Sequence, residues 1–276
     1  MKTAPDLALR QLTMQFIGNA TTLLRCGPFT LLTDPNFLHR GQRVHLGYGL
    51  TTRRLTDPAL RIEELPRLDA VVLSHLHGDH WDRVARAKLD RGLPIITTPH
   101  ASRRLQGLHR FRHAVGLRTW ESHTLVKDGM QLRVTSLPGR HAPGPLHRLL
   151  PPVMGSLLEF GPATGEVQFR LYITGDTLMF DGIEQIARRT PGIDLAILHL
   201  GGTKLPGGLI VTMDAVQGAD LLDTIRPANA VPVHYDDYTV FSSSLADFRR
   251  ELDRRGMAGE VTYVERGHTH TFTHAL

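Results

Sequence analysis

Ser74-His75-Leu76-His77-Gly78-Asp79-His80 places three imidazoles and a carboxylate within six residues, His75 to His80. Neutral imidazole nitrogens and carboxylate oxygens are good donors for Zn²⁺ and similar divalent ions. The run follows Ala70–Leu73, an apolar stretch of strand length, and precedes a helical stretch that begins near Trp81. In extended backbone, residues two apart point the same way, so His75 and His77 can reach one ion. Turning into a helix then aims Asp79 and His80 toward a second ion, and Gly78 permits the tight turn. Burying four such groups with no metal would be costly, which separates the run from a chance histidine-rich turn.

Three more donors recur in one position. His141 follows the strand-like Leu132–Leu137, Asp176 follows Leu171–Ile173, and His234 ends Val231-Pro232-Val233. Taken singly they read as a loop histidine, a turn or cap residue, and a core histidine. Together they repeat one arrangement, a ligand just past a strand's C-terminal end. That is how distant segments converge on one edge of a sheet.

The elements that must position these residues are legible as short β-branched apolar runs: Met14–Ile17, Phe29–Leu32, Ala70–Leu73, Leu93–Ile96, Leu132–Leu137, Val167–Ile173, Leu195–Leu198, Ala230–Val233 and Val261–Val264. Helices are expected at Trp81–Leu89, Gly182–Arg189, Asp214–Thr224 and Ser244–Arg255. Strands interleaved with helices predict an α/β chain of packed sheets covered by helices. Loops rich in Pro and Gly, at 138–152 and 201–208, follow predicted strands. No repeat or linker divides the chain, so residues 1–276 are expected to form one domain.

Composition narrows the class. At 41% apolar residues the chain can bury a large core. No apolar run reaches the roughly 18 residues of a membrane span. The start, with Pro5 and Asp6, lacks the apolar stretch of a signal peptide. Cys26 is the only cysteine, which excludes an intramolecular disulfide and Cys-rich zinc sites, and points to a reducing, cytoplasmic setting. The net charge of +5 rests on arginines scattered through 101–118 and 249–255, read as a solvated basic surface. No aromatic-interleaved basic stripe argues for nucleic acid.

His75-Leu76-His77-Gly78-Asp79-His80 matches the HxHxDH signature of the metallo-β-lactamase superfamily, and His141, Asp176 and His234 match its later motifs in order. The sequence resembles in particular the branch of ascorbate-6-phosphate lactonase-like and N-acyl-phosphatidylethanolamine phospholipase D-like hydrolases. Gly18-Asn19-Ala20-Thr21, Asp34-Pro35, Leu65-Pro66-Arg67-Leu68-Asp69, Leu198-His199-Leu200-Gly201-Gly202, Thr212-Met213-Asp214-Ala215 and Pro232-Val233-His234-Tyr235 carry that likeness. It implies an αββα sandwich of two mixed sheets flanked by helices, with two divalent ions at one edge. The ions are expected to be Zn²⁺, with Mn²⁺ or Fe²⁺ as alternatives. The first would take His75, His77 and His141; the second Asp79, His80 and His234; Asp176 would bridge them. The implied reaction is hydrolysis of an ester-type bond by a hydroxide shared between the ions, with Asp79 orienting it. His199 is a candidate proton donor, and Asp34 a candidate partner for a metal-bound imidazole. The branch has histidine where this chain has Asn19, which cannot shuttle a proton at neutral pH.

The expected substrate is a small anionic phosphodiester or lactone. A nuclease of the same fold and a non-catalytic metal-binding protein are the alternatives, and the oligomeric state is open. The segment 39–54 carries Arg40, Arg43, Arg53 and Arg54 with no acidic residue and three glycines. It is expected to be a mobile loop over the metals in which Arg40 and Arg43 guide an anion. His109, His113, His268 and His270 are read as structural or surface residues, His270 in a surface strand.

Overall fold

The computed structural model describes residues 10–47, 50–148, 150–205 and 208–274. The expectation for the chain's start, over residues 1–9, and Gly49 of the basic segment lie outside the described residues. Strands β1 (Gln11–Gly18), β2 (Thr21–Cys26) and β3 (Phe29–Thr33) form an antiparallel meander. A hairpin, β4 (Arg43–Gly47) and β5 (Leu50–Arg53), follows. Then come β6 (Ala70–Val72), helix α1 (Arg83–Lys88), β7 (Ile95–Thr97), α2 (Pro99–Gly107) and β8 (Ala114–Gly116). The second half contains β9 (Ser122–Lys127), β10 (Met130–Leu137), β11 (Gly155–Pro162), β12 (Phe169–Ile173), α3 (Asp181–Arg189) and β13 (Leu195–His199). A short hairpin of β14 (Lys204–Leu205) and β15 (Leu209–Ile210) precedes α4 (Ala215–Ile225), β16 (Ala230–Val233), α5 (Leu245–Arg255) and β17 (Thr269–Thr273).

Two mixed sheets result, in the orders β17-β1-β2-β3-β6-β7-β8 and β16-β13-β12-β11-β10-β9. Side chains alternate across each strand, so one strand serves two cores. Leu12, Met14 and Phe16 of β1 meet Leu158, Phe160, Leu171 and Ile173 between the sheets. On the opposite face of the first sheet, Ile17, Leu32 and Val71 pack against Ala85 and Leu105 of α1 and α2. Tyr172, Ala196 and Leu198 of the second sheet pack against Ile183, Ala219 and Phe248 of α3, α4 and α5. The layers are therefore helix, sheet, sheet, helix, as the sequence predicts. Cys26 is buried in the core between the sheets.

Helix starts obey local rules. Asp82, Thr98, Asp214 and Ser244 each accept a hydrogen bond from the first turn of the helix they precede. α1 consequently begins after Asp82 and not at Trp81. α2 was hidden by the arginines of 101–118, although Thr98 and Pro99 are a cap and a first-turn proline. β11 is buried on both faces for seven of its eight residues, so it lacks the alternation that marks a strand. Val261–Val264, expected as a strand, contributes a single bridge from Val261 to Ala230. The open edge beside β1 is taken instead by β17, which contains His270. No helix among the described residues is long and apolar enough to cross a membrane.

The basic segment differs most from expectation. Over its described residues it is a paired hairpin with Arg43 opposite Arg53 and Val44 opposite Thr52. It is also tied to carboxylates at two points. Asp57 accepts from the Arg40 backbone N–H at 3.0 Å. Arg54 is fully buried and meets Asp237 Oδ1 at 3.3 Å. Its Nη1 donates to Asn36 O and its Nε to Thr56 O, each at 3.2 Å. Burial pushes the Asp237 carboxyl up, but Arg54 and then Arg266 outweigh it and hold the group below its ordinary range. Removing one partner of a buried pair strands the other. Arg54→Met is expected to cost about 3–5 kcal/mol of stability in chemical denaturation. Arg53→Met, on the exposed hairpin, should stay within about 0.5 kcal/mol. Equal denaturation midpoints for the two variants would show that the buried pair does not anchor the hairpin.

Candidate metal centre

The motif begins where β6 ends, and β6 lies between β3 and β7 in the parallel part of the first sheet. The chain leaves the sheet at Leu73, and Trp81 N–H donates to His77 O at 2.8 Å to close a turn. Asp82 then caps α1, accepting from Ala85 N–H at 2.7 Å. Gly78 is needed for space. Its backbone is not left-handed, but a Cβ there would lie 2.1 Å from Val44 Cγ2 and 2.8 Å from His45 O. The close approach of the hairpin β4–β5 therefore replaces turn geometry as the reason for this glycine.

The expected ligands converge in two groups. In the first, His75 Nε2 and His141 Nε2 lie 2.9 and 3.2 Å from His77 Nδ1. In the second, His80 Nε2 lies 3.3 Å from Asp176 Oδ1 and 3.7 Å from Asp79 Oδ2, and His234 Nε2 lies 3.2 Å from Asp79 Oδ2. Within each group the donor atoms lie within 4.8 Å of one another, and every residue is buried. The groups adjoin, since the His75 and His80 rings are 4.2 Å apart.

Hydrogen bonds on the far side of the rings fix which lone pairs face inward. His141 Nδ1 donates to Val211 O at 2.8 Å, and His234 Nδ1 donates to Leu200 O at 3.0 Å. A carbonyl only accepts, so in each neutral ring the proton sits on Nδ1 and Nε2 presents a lone pair. Asp79 Oδ1, Asp176 Oδ1 and His80 Nε2 are buried with no hydrogen-bond partner. Converging lone pairs and carboxylate oxygens repel one another unless a cation lies among them. Histidine nitrogens with carboxylate oxygens also match the donor preference of zinc, manganese and iron. The residues present fit divalent metal.

The electrostatics agree. Burial disfavours a charged His80, yet Asp176, Asp79 and Asp34 outweigh it and push its pKa well above the ordinary histidine value. Burial would raise the Asp176 carboxyl, but His234 and His80 hold it well below its usual range. Burial and then the positive field of His80 hold His75 well down. Burial and then His141 lower His77 to about 3. Three carboxylates thus make the second group a place that favours positive charge.

The remaining predicted residues lie behind the ligands. Asp34 is 1% exposed, and its Oδ2 lies 3.1 Å from His80 Nδ1. Burial would raise its pKa, but His80 and then His199 lower it to about 2. Ser74 N–H donates to Asp34 Oδ1 at 2.7 Å. His199, at the end of β13, sits beneath this carboxylate, with Nε2 3.3 Å from Asp34 Oδ2 and Nδ1 3.3 Å from Thr174 Oγ1. Asn19 holds left-handed backbone, φ 53°, which asparagine tolerates better than most residues. Its Nδ2 donates to Asp79 O at 2.8 Å, and its own carbonyl accepts from His234 N–H at 3.0 Å. Sequence reasoning missed Asp237, whose Oδ2 accepts from Asn19 N–H at 2.7 Å. It also missed Thr212, whose hydroxyl donates to Asp176 Oδ2 at 3.3 Å. Thr212 had a signal, since it opens one of the motifs quoted above. Asp237 had none.

Above the ligands is a small space of about 20 Å³ bounded by His77, Asp79, His141 and Asp176. Leu46 and Leu50 of the hairpin, Leu150, Leu205 and Val211 wall it. Arg40 and Arg43 are not among its walls; Arg43 lines a neighbouring cleft.

Comparison with known proteins agrees with this geometry. Residues 30–235 match the model of the beta-lactamase superfamily domain. A UPF0173 metal-dependent hydrolase of Deinococcus radiodurans is 30% identical over 264 residues, covering 94% of this chain and 98% of the relative. The structure of a possible metal-dependent hydrolase from Veillonella parvula superposes with a TM-score of 0.78 at 25% identity, over 95% of this chain and 99% of that one. An isothiocyanate hydrolase from Delia radicum gut bacteria also gives 0.78, at 21% identity over 95% and 99%. The chain belongs to the beta-lactamase superfamily, among its UPF0173 metal-dependent hydrolases, and has the metallo-β-lactamase fold.

Packing at Gly78 yields a test. Gly78→Ala must displace Val44 and the hairpin, and is expected to lower stability by about 1–3 kcal/mol. Gly107→Ala, at the end of α2 with nothing near its Cβ position, should change it by no more than about 0.5 kcal/mol. Thermal melts of both variants decide whether the hairpin presses on the motif in solution.

Proposed function

We propose that this metal-dependent hydrolase is a one-domain dinuclear enzyme that cleaves an ester-type bond, a lactone or phosphodiester, in a small substrate. The observation that carries the reading is the convergence of seven donors in two adjoining groups, His75, His77 and His141 in one and Asp79, His80, Asp176 and His234 in the other. His75, His77 and His141 would hold one ion, Asp79, His80 and His234 the other, and Asp176 both. Two divalent ions, zinc first for so histidine-rich a set, would supply Lewis acidity toward the scissile group and lower the pKa of a water.

The chain's own residues do the rest. Asp79 borders the space where substrate must lie and accepts a proton from the attacking water or orients it. Asp34 grips His80 through Nδ1, which keeps the Nε2 lone pair inward. His199, Ser74 and Thr174 fix Asp34 from behind, so His199 acts by positioning. Asn19 takes no proton; it holds the backbone of Asp79 and His234. Apolar walls exclude bulk water and favour a compact substrate over a polymer. A substrate screen should include isothiocyanates beside lactones and phosphodiesters, because the solved isothiocyanate hydrolase shares the fold.

Elemental analysis of protein purified without chelator is expected to give about two divalent ions per chain. Asp176→Asn removes the shared negative charge and is expected to release both ions and reduce turnover by orders of magnitude. Full metal content and full activity in that variant would overturn the bridging role. Asp34→Ala should weaken metal binding about 10–100-fold while leaving all seven donors in place. Metal titration followed by dialysis reads this directly.

A further inference from the structure

Beside the space over the ligands is a second, larger cleft of about 450 Å³, and Gly47 and His77 border both. Its rim is formed by Arg43 of β4, Arg83 and Arg86 of α1, Arg104 of α2, and His100 and His109. Three elements, β4, α1 and α2, therefore deliver like charge to one place.

The charges are not matched by protein. Among the described residues, none of the four arginines is in an ion pair, whereas Lys88, on α1 but outside the cleft, pairs with Glu63. The one carboxylate in the cleft, Asp82, is committed to backbone, accepting from Ala85 N–H and Phe37 N–H. Arg83 is also placed against its own helix. It is the first residue of α1, where the helix dipole disfavours a cation. Arg83 and Arg86 are three apart, so they share a face and repel. Burial, and then neighbouring guanidinium groups, hold the pKa of both His100 and His109 down. Trp81 Nε1 donates to His109 Nδ1 at 3.3 Å, which leaves Nε2 as that neutral ring's N–H donor. The floor is apolar, with Leu76 and Trp81. A basic rim over an apolar floor suits an organic molecule that carries a multiply charged oxyanion.

We propose that this cleft seats a phosphate group of the substrate, with Arg43, Arg83, Arg86 and Arg104 as its counter-charge and the scissile bond reaching past His77 to the metal centre. The proposal rests on the hydrolase reading above and names its substrate class, a phosphorylated small molecule. The cleft supplies specificity at a distance from the bond broken. Arg40, by contrast, lies outside it.

The test uses metal-loaded wild type and the double variant Arg86→Ala/Arg104→Ala, with unchanged metal content and thermal melting as controls. Calorimetric titration with inorganic phosphate is expected to give affinity about tenfold or more weaker in the variant, and a smaller difference at high salt. The ratio of kcat/KM for a phosphorylated ester over its neutral counterpart should fall by a similar factor. Equal phosphate affinity in the two proteins, or an unchanged ratio, overturns the assignment. Binding of a short RNA oligonucleotide that is far tighter than phosphate and lost in the variant would replace it with a nucleic-acid surface. A wild type that binds phosphate through these arginines but turns over no ester contradicts the hydrolase reading and leaves the anion site. A wild type that turns over esters with no arginine-dependent phosphate binding contradicts the anion site alone.

Discussion

Asp34, Asp79 and Asp176 are buried together, and a buried carboxylate must be met by positive charge or by hydrogen bonds. Most of the site follows from that constraint. Asp34 is satisfied by Ser74 and by the histidines on either side of it. Asp79 and Asp176 each keep an oxygen without a hydrogen-bond partner, aimed among imidazole nitrogens. His141 and His234 spend their Nδ1 protons on backbone carbonyls, so their other nitrogens add lone pairs to the same place. A fold that gathers this much electron density in its interior is organised around cations.

The sandwich makes that gathering possible. β1, β3 and β6 run in one direction in the first sheet, as do β10, β12, β13 and β16 in the second. Asn19, Asp34 and the His75–His80 run follow the ends of the first set. His141, Asp176, His199 and His234 lie at or just past the ends of the second. The apolar core between the sheets holds the two rows of strand ends together, so that Asp79 and His234, 155 residues apart, meet at 3.2 Å. The connecting loops are irregular and need support from behind. Arg54 and Asp237 give it, through Asn19 to Asp79 and His234. Tyr238 adds to it through Asn36, which donates to Gly78 O.

The candidate ligands and the basic cleft are therefore built from different parts. The ligands sit on strand ends and are buried. The hairpin β4–β5 and the apolar loop residues cover them, and exposed helices α1 and α2 border the basic cleft beyond. Changes in those outer parts leave the strand ends that carry the candidate ligands undisturbed.

The sequence by itself determined the seven candidate donors that the fold gathers, and the layered architecture. HLHGDH is a local signal, and a donor after a strand end recurs at His141, Asp176 and His234 because sheet topology repeats that relation. Short β-branched apolar runs and capping residues carried β1, β3, β6, β7, β10, β12, β13, β16 and every helix but α2 for the same reason, being written within a few neighbours. Only the tertiary structure decided what depends on contacts across the chain. Gly78 is required by Val44 and not by its own turn. Arg54 looked like one more surface cation until the fold buried it against Asp237, 183 residues away. β11 was illegible because both its faces are covered, and the surface strand read at His270 proved to be β17, which closes the edge that β1 leaves open. The basic segment was legible as charge but not as shape. Folding moved Arg54 inside, tied the Arg40 backbone to Asp57, and set Arg43 beside arginines from two helices that no sequence window contains.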